Sequence, residues 1–234
     1  MSIFVPGRSA NSIFTSLSPV GPHWPFWKSD TAPAAGAFHC SVDPDHYYPE
    51  PTTAEWDLGY LGTYAEDRQP VLERLLMNPA QRWPGGRFVV AGPLYPGEIP
   101  WTNIERIEHL PPVRHRRFYN QQRYTLNITR ADMVALGHSP SVRLFEAAAC
   151  GVPIISDHWE GIEKVFRPEE EILLADSPER VLGIVQDLTD GARRRIGERA
   201  RRRVLAEHTA AHRARQLEGL LDPPCGRETQ VSSV

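Results

Sequence analysis

Residues 137–163 read GHSPSVRLFEAAACGVPIISDHWEGIE, and this stretch contains signals for the start and the end of a helix. Ser139 is a favoured N-cap residue and proline suits the first helical position, so Ser139 and Pro140 predict the start of a helix over residues 141–150. Gly151 suits the left-handed position that ends a helix, and the apolar run after it predicts a buried strand. A helix that leads directly into a buried strand is typical of an α/β fold.

The same alternation extends along most of the chain. Between residues 56 and 222, short runs that are apolar on both faces alternate with segments whose apolar residues recur every three to four positions. Strands buried on both faces are parallel strands covered by helices, and right-handed connections then favour a doubly wound, Rossmann-like parallel sheet. The predicted strands are 58–61, 87–91, 104–110, 124–128, 153–156 and 171–174, and the predicted helices are 68–77, 113–122, 141–150, 178–188 and 192–221.

The first 55 residues differ in composition from this alternating region. Their eight prolines, with serine and glycine between them, exclude a long helix or a central strand. We expect residues 1–55 to form an irregular arm, or the end of another domain, in which residues 1–38 contribute little to the folded core. Residues 223–234 are expected to form a disordered tail.

Composition and charge exclude several classes of protein. A net charge of -3 and a pI of about 6.3 argue against a nucleic-acid-binding protein. A mean hydropathy of -0.41, without any apolar run of about 18–20 residues, predicts no membrane span, and no secretory signal is evident. The three cysteines are far apart, which indicates free thiols in a cytoplasmic protein rather than a disulfide framework or a zinc site.

Motifs of other enzyme classes are missing. No Gly-x-Gly-x-x-Gly follows the first predicted strand, which disfavours a dehydrogenase, and no Gly-x-Ser-x-Gly indicates a serine hydrolase. Asp157, His158 and Glu160 lack a second histidine at ligand spacing, so they indicate a polar loop rather than a metal site, or side chains that face a bound sugar. The nine arginines of residues 193–215 accompany an apolar stripe, which favours a packed surface helix over a polyanion site.

A phosphate site is expected around residues 137–139. In a doubly wound sheet this loop follows the carboxyl end of a strand and precedes a helix, where backbone N–H groups and the helix dipole favour an anion. Glu146 lies about two turns into that helix, and its carboxylate can accept hydrogen bonds from both hydroxyls of a ribose. The alternative for Glu146 is a solvated or salt-bridged acid on the helix surface.

The order of residues in this region resembles a known family pattern. Pro-Ser, an apolar turn and then Glu-Ala-x-Ala-x-Gly-x-Pro-apolar-apolar-Ser is similar to the nucleotide-sugar-binding half of group-1 GT-B glycosyltransferases, and most similar to their CgeB-type (spore maturation protein-like) branch. Residues 57–64, 126–130 and 168–174 are consistent with the same pattern, and the resemblance covers roughly residues 40–221. It implies the C-terminal half of a GT-B fold and sugar transfer from a nucleoside diphosphate sugar without a metal or other cofactor.

The resemblance also implies roles for individual residues. Glu146 would hold the ribose hydroxyls, and the turn through Ser139, Ser141 and Val142 would bind the diphosphate with backbone N–H groups. These roles place the nucleotide along the first two turns of one helix.

Two arginines and a glycine-containing loop complete the implied site. Arg130 and Arg143 are candidates to neutralise the leaving diphosphate, since a guanidinium is always charged and binds phosphate in a fork; the alternative for each is a structural ion pair. Thr63 and Tyr64, in the loop after the first strand, would approach the donor.

The sequence departs from the family pattern in two places. Where the pattern has a first glutamate, eight positions before the second, this chain has His138, which can bind a sugar hydroxyl but cannot supply a carboxylate. Its alternative is a loop residue without a role. The basic pair that usually follows the first strands is not evident, and Arg68 is the nearest substitute, so the identity of the donor does not transfer from the family.

Chain length gives a further expectation. A GT-B enzyme reacts its substrates between two Rossmann-like domains, and at about 100–200 residues per domain the chain has room for one. We therefore expect the donor-binding half, partnered by a nucleotide sugar and by a separate acceptor-binding domain or subunit. The alternative is a non-catalytic nucleotide-sugar-binding module or a truncated remnant.

Overall fold

The computed structural model of the chain describes residues 38–97, 102–138 and 140–221, so most of the expected arm, the expected tail and Ser139 lie outside the described residues. Within them, six strands form one sheet in the order β3-β2-β1-β4-β5-β6, and all neighbouring strands are parallel. This order defines a doubly wound, Rossmann-like sheet, and the predicted fold class is confirmed. The strands are β1 (Trp56–Leu61), β2 (Phe88–Ala91), β3 (Ile104–Ile107), β4 (Gln122–Asn127), β5 (Ile154–Ser156) and β6 (Leu173–Leu174).

Helices cover both faces of this sheet. One apolar cluster joins the sheet to the helices after β1 and β6, and a second cluster joins its other face to the helices over Val142–Ala149, Ile162–Val165 and Asp190–Glu207. None of the helices in the described ranges is both long and apolar enough to cross a bilayer. The helices are α1 (Gln69–Leu72), α2 (Asn78–Arg82), α3 (His115–Asn120), α4 (Ala131–Leu136), α5 (Val142–Ala149), α6 (Ile162–Val165), α7 (Pro178–Asp187), α8 (Asp190–Glu207) and α9 (Ala210–Leu221).

The prediction of one long last helix over residues 192–221 is wrong. The chain instead forms α8 and α9, which are separated by His208 and Thr209. Val42 supplies the backbone partners at this break: its N–H donates to the carbonyl of His208 at 3.1 Å, and its carbonyl accepts from the N–H of Ala210 at 2.9 Å. A distant segment therefore satisfies the backbone groups that the helix break leaves free, which local periodicity does not reveal.

The start of α5 is also corrected by the structure. Ser141 is the N-cap, and its hydroxyl accepts from the N–H of Arg143 at 3.4 Å, so the helix begins two residues later than Ser139 would have it. Pro140 precedes the cap instead of occupying the first turn. Ser139 and Ser141 are both favoured N-cap residues by type, and it is Ser141 that has the extended backbone and the side-chain hydrogen bond of the N-cap. Gly151 follows α5 with a left-handed φ of 72°, as predicted.

The remaining elements agree with the prediction in type and differ in their bounds. The helix expected over 68–77 continues to Arg82, because a π-helical turn over Glu73–Met77 accommodates Pro79, which has no N–H to donate to the preceding turn. Helices α4 and α6 were missed, since six residues or fewer carry too little periodicity to identify a helix.

Residues 38–55 lie against the body of the domain. They are irregular apart from a single bridge between Val42 and Thr209, as expected for this composition. Val42 is nevertheless buried, and the carboxylate of Glu50 forms an ion pair with Arg116 at 2.7 Å. This segment therefore belongs to the folded unit although it has no regular secondary structure.

Candidate functional site

A cleft of about 420 Å³ opens at the carboxyl edge of the sheet. The loops after β1, β2, β3 and β4 and the first two turns of α5 line it together. The strand order reverses between β1 and β4, and doubly wound sheets bind ligands at this reversal because the neighbouring loops diverge there. The cleft is therefore the candidate functional site.

The structure brings together six of the nine predicted contact residues. These six line the cleft from three loops and one helix: Thr63, Arg130, Ser141, Val142, Arg143 and Glu146. Tyr64 and His138 are not among the lining residues, and Ser139 lies outside the described part of the chain.

Two arginine side chains are buried at this cleft without a carboxylate partner. Arg68 and Arg143 are 7% and 8% exposed, and neither forms an ion pair within the described residues. The Nε atom of each is buried, and no described residue offers it a hydrogen-bond partner. Burial of an ion without a counter-charge costs several kcal/mol, so this arrangement favours an anionic ligand that contacts both groups.

Local contacts hold the Arg143 guanidinium in place. Its Nη1 donates to Oδ1 of Asn127 at 3.1 Å, and its Cζ lies 5.0 Å from the centroid of the Tyr60 ring. A Cβ atom on Gly62 would lie 2.5 Å from the Tyr60 hydroxyl and 3.1 Å from Nη2 of Arg143. The absence of a side chain at Gly62 therefore leaves the room that this guanidinium occupies.

Arg68 reaches the cleft from the turn that precedes α1. Its Nη2 donates to the carbonyl of Thr63, in the loop after β1. The sequence identified Arg68 only as a substitute for a family basic residue, and the structure places it at the same cleft as Arg143.

Glu146 lines the cleft, half-buried, and faces a tyrosine. Its Oε2 accepts from the hydroxyl of Tyr119 at 2.9 Å, and the described residues contain no ion pair to Glu146, which removes the salt-bridged alternative there. Burial and the facing carboxylate raise the pKa of Tyr119 well above its ordinary value, and they raise that of Tyr47 as well. Both phenols therefore stay protonated near neutral pH, and that of Tyr119 donates to the carboxylate.

Arg130 stands at the mouth of the cleft. It is exposed at the N-cap of α4, and its side chain forms no ion pair among the described residues. The structural ion pair considered as the alternative for Arg130 is therefore not found there, and the exposed Arg130 lines the cleft.

His138 and Tyr64 connect neighbouring loops instead of lining the cleft. The N–H of His138 donates to the carbonyl of Glu160 at 2.7 Å, and its ring packs so closely on Gly161 that a Cβ there would lie 2.0 Å from Nδ1. Tyr64 packs edge-on against Tyr95, with ring centroids 5.6 Å apart. Their contacts are those of loop packing.

Among the lining residues that were not identified from the sequence, three have polar side chains able to contact a ligand. His109 and His115 follow β3, and Tyr119 lies on α3. Their position after a predicted strand could have identified them as site residues, because the carboxyl ends of parallel strands share one edge of the sheet. His115 is oriented by a contact of its Nε2 with the carbonyl of Leu110 at 3.2 Å.

The acidic cluster after β5 does not form a metal site in the described part of the chain. There, no group of three or more His, Cys, Asp or Glu side chains is arranged to hold a metal ion. Asp157 is buried and accepts from the N–H and the hydroxyl of Thr129 at 3.1 and 3.0 Å. Burial raises the pKa of Asp157, and these hydrogen bonds oppose the increase.

Solved structures share this fold at low sequence identity. Sucrose-phosphate synthase from Thermosynechococcus elongatus matches with a TM-score of 0.65 and 16% identity over 81% of this chain and 52% of its own. Anabaena HepE, solved in complex with UDP-glucose, matches with a TM-score of 0.64 and 10% identity over 80% of this chain and 57% of its own. The present chain thus spans little more than half the length of these two proteins.

A third match is to an isolated domain. The C-terminal domain of a glycosyl transferase group 1 family protein (LpcC) from Francisella tularensis matches with a TM-score of 0.54 and 14% identity, over 72% of this chain and 99% of its own. The fold is a Rossmann-like α/β domain that matches domains of GT-B glycosyltransferases.

Sequence comparison identifies the family. The family described as glycosyl transferase-like matches residues 68–219, and the chain belongs to this family. A comparison with curated protein sequences found no significant match.

Proposed function

We propose that this chain is the donor-binding half of a glycosyltransferase, and that it belongs to the CgeB-type branch of its family. The observation that carries the proposal is the pair of buried guanidinium groups, Arg68 and Arg143, that face one cleft without a carboxylate partner among the described residues. A nucleoside diphosphate supplies the negative charge that this pair lacks.

The charged groups that line the cleft suit a nucleoside diphosphate sugar. The diphosphate would lie between Arg68 and Arg143, near the N-cap of α5, where backbone N–H groups and the helix dipole add to the positive potential. The ribose would lie at Glu146, whose carboxylate is held by the Tyr119 hydroxyl. The binding of UDP-glucose by Anabaena HepE, which shares the fold, supports this assignment.

The same residues account for the chemistry of transfer. As the bond between the sugar carbon and the phosphate oxygen breaks, negative charge grows on the leaving diphosphate, and Arg143, Arg68 and the exposed Arg130 stabilise it without a metal or other cofactor. A second domain or subunit would bind the acceptor and close the cleft against water. We expect such an enzyme to act in the cytoplasm.

A non-catalytic nucleotide-sugar-binding module is the second candidate, and the placement of His138 favours it. His138 occupies the family's first glutamate position, yet it packs on Gly161 and does not line the cleft. If no other residue contacts the sugar, the domain binds the nucleotide without activating the donor.

Calorimetric titration of the full chain tests the proposed function. UDP, GDP, ADP and dTDP are each titrated beside the matching nucleoside, and we expect one diphosphate to bind about tenfold or more tightly than its nucleoside. Arg143→Met should weaken diphosphate binding by about 30-fold while leaving the melting temperature equal or higher, because it removes an uncompensated buried charge.

Arg194→Met is the matched control, since Arg194 is exposed on α8 and does not line the cleft. Equal affinity of wild type and Arg143→Met, or no diphosphate binding at all, would contradict the proposal. Release of nucleoside diphosphate from the bound donor, on addition of an acceptor-binding partner or slowly to water, distinguishes the enzyme from the binding module.

A further inference from the structure

A chain of buried polar groups leads from the Asp157 carboxylate toward the cleft. Asp157 accepts from the hydroxyl of Thr129 at 3.0 Å and from that of Ser156 at 3.3 Å. The next member is Asn127, the last residue of β4, which is fully buried and whose Nδ2 lies 3.0 Å from the Ser156 oxygen and 3.4 Å from the Thr129 oxygen. Four side chains from the ends of β4 and β5 thus form one network.

Hydrogen-bond directions in this network are determined by the carboxylate. A carboxylate only accepts hydrogen bonds, so the hydroxyl hydrogens of Thr129 and Ser156 point toward Asp157 and away from Asn127. The hydroxyl of Ser156 also donates to the backbone carbonyl of Asp157. The lone pairs of both hydroxyls then face Asn127, which must present its NH₂ group to both. The Oδ1 atom of Asn127 is thereby turned toward the opposite side, where it accepts from Arg143 at 3.1 Å.

We infer that Asn127 is the positioning residue for Arg143, and that its neutral amide holds the guanidinium while leaving its positive charge for the ligand. This inference rests on the proposed function, since it assigns Arg143 to the diphosphate. A carboxylate at position 127 would pair with the guanidinium directly and compete with the anion. The charged member of the network, Asp157, is instead one hydrogen-bonded residue further away.

Burial makes this arrangement significant for binding. Asn127 is 0% and Arg143 8% exposed, so water does not screen a charge placed between them as it would at the surface. The Tyr60 ring beside Arg143 and the hydroxyls beside Asn127 bring no negative charge. The two groups that hold the guanidinium, the Asn127 amide and the Tyr60 ring, are therefore both neutral.

The test compares two substitutions of Asn127. Which of them weakens anion binding more distinguishes a role in positioning Arg143 from a purely structural role. Inorganic pyrophosphate and the nucleoside diphosphates are titrated into full-length wild type, Asn127→Ala and Asn127→Asp. We expect Asn127→Ala to weaken pyrophosphate binding about fivefold, through loss of order, and Asn127→Asp about 30-fold or more, through loss of charge. A structural role predicts the reverse order, because aspartate keeps the size of asparagine and its acceptor oxygen.

Asn78→Asp is the matched control, since it makes the same chemical change on α2, which does not line the cleft. A milder effect of Asn127→Asp than of Asn127→Ala overturns the inference while the proposed function stands. If the wild type binds pyrophosphate but no nucleotide, the proposed function fails and the comparison still decides the inference. If the wild type binds neither, both are overturned.

A double-mutant cycle covers the case in which Asn127→Asp does not fold. Asn127→Ala should change pyrophosphate affinity in wild type and leave it unchanged in an Arg143→Met background, because its effect acts through Arg143. Additive losses in the double mutant would overturn the inference.

Discussion

The role of Glu146 depends on the side chains that surround its carboxylate. The sequence left two interpretations open, a ribose ligand and a solvated or salt-bridged acid on the helix surface. Within the described residues the structure gives Glu146 a tyrosine hydroxyl and no cation at ion-pair distance, and it places the carboxylate in the wall of the cleft. The ribose role of Glu146 stays a prediction, and the absence of an ion pair in this part of the chain removes only the salt-bridged alternative.

Glu146→Gln tests it at the residue scale. The amide loses the charge that strengthens hydrogen bonds from two ribose hydroxyls, so the Kd for the nucleoside diphosphate should rise about ten- to a hundredfold. Because no ion pair is lost, the melting temperature should stay nearly constant, which differential scanning calorimetry checks.

The exposed Glu163 on α6 provides the control, as Glu163→Gln, and should change neither quantity. A lower melting temperature of Glu146→Gln with unchanged affinity would assign Glu146 to the fold and not to the ligand.

The junction between α8 and α9 is where secondary structure depends on a distant segment. His208 ends α8, its ring lies 5.1 Å from that of Phe145, and its Nδ1 lies 2.7 Å from a guanidinium nitrogen of Arg213. Burial and the positive charge of Arg213 lower the pKa of His208 to about 4, against a smaller opposing effect of Glu207. The junction is therefore built around a neutral histidine.

The neutral His208 at this junction should make the unfolding free energy of the protein fall in acid. Because the folded pKa of His208 is lowered from 6.5, the unfolded state binds the proton more tightly, and the stabilisation present above pH 6.5 is lost as the pH falls toward about 4. Neighbouring His39, whose pKa is also lowered, acts in the same direction.

Urea unfolding at several pH values measures this effect. Between pH 7 and about 4.5, wild type should lose about 2 kcal/mol more of its unfolding free energy than His208→Gln, which keeps an acceptor for Arg213 and does not titrate. The same change at exposed His158 should leave the pH dependence as in wild type, and parallel curves for His208→Gln and wild type would refute the assignment.

At the scale of the whole molecule, the folded unit begins before the first strand. Residues 38–55 lack regular secondary structure, yet Val42 is buried against the α8–α9 junction and Glu50 is paired with Arg116. The composition of residues 1–55 suggested an irregular arm in which residues 1–38 contribute little to the core, and the contacts place residues 38–55 in the folded unit, so we expect a division at about residue 38.

Two truncations test this division. Deletion of residues 1–37 should leave the melting temperature nearly unchanged, because we expect that segment to contribute little to the core. Deletion of residues 1–55 should lower it by about 6–12 °C, since loss of one buried valine, two backbone hydrogen bonds and an ion pair costs roughly 3 kcal/mol.

Limited proteolysis provides an independent measurement. A stable fragment that begins near residue 40 agrees with the division, and protection of residues 1–37, or equal melting temperatures for the two truncations, would contradict it.

Local pattern alone determined the class of the fold and the position of α5. Strands apolar on both faces and Gly151 after α5 predicted the doubly wound sheet and the end of that helix, because these features depend on neighbours within a few residues. Glu146 was singled out by the resemblance of the Glu-Ala-x-Ala-x-Gly-x-Pro order to the family pattern. Six of the predicted contact residues line the cleft for a related reason: carboxyl ends of parallel strands meet at one edge.

Only the tertiary structure decided which charges are left without partners. That Arg68 and Arg143 share a cleft, that Asn127 and not a carboxylate holds Arg143, and that His138 packs on Gly161 follow from side chains far apart in sequence. The same holds for the break between α8 and α9, which pairs with Val42. The electrostatic energy of a buried group depends on all its neighbours in space, and sequence periodicity records only those along the chain.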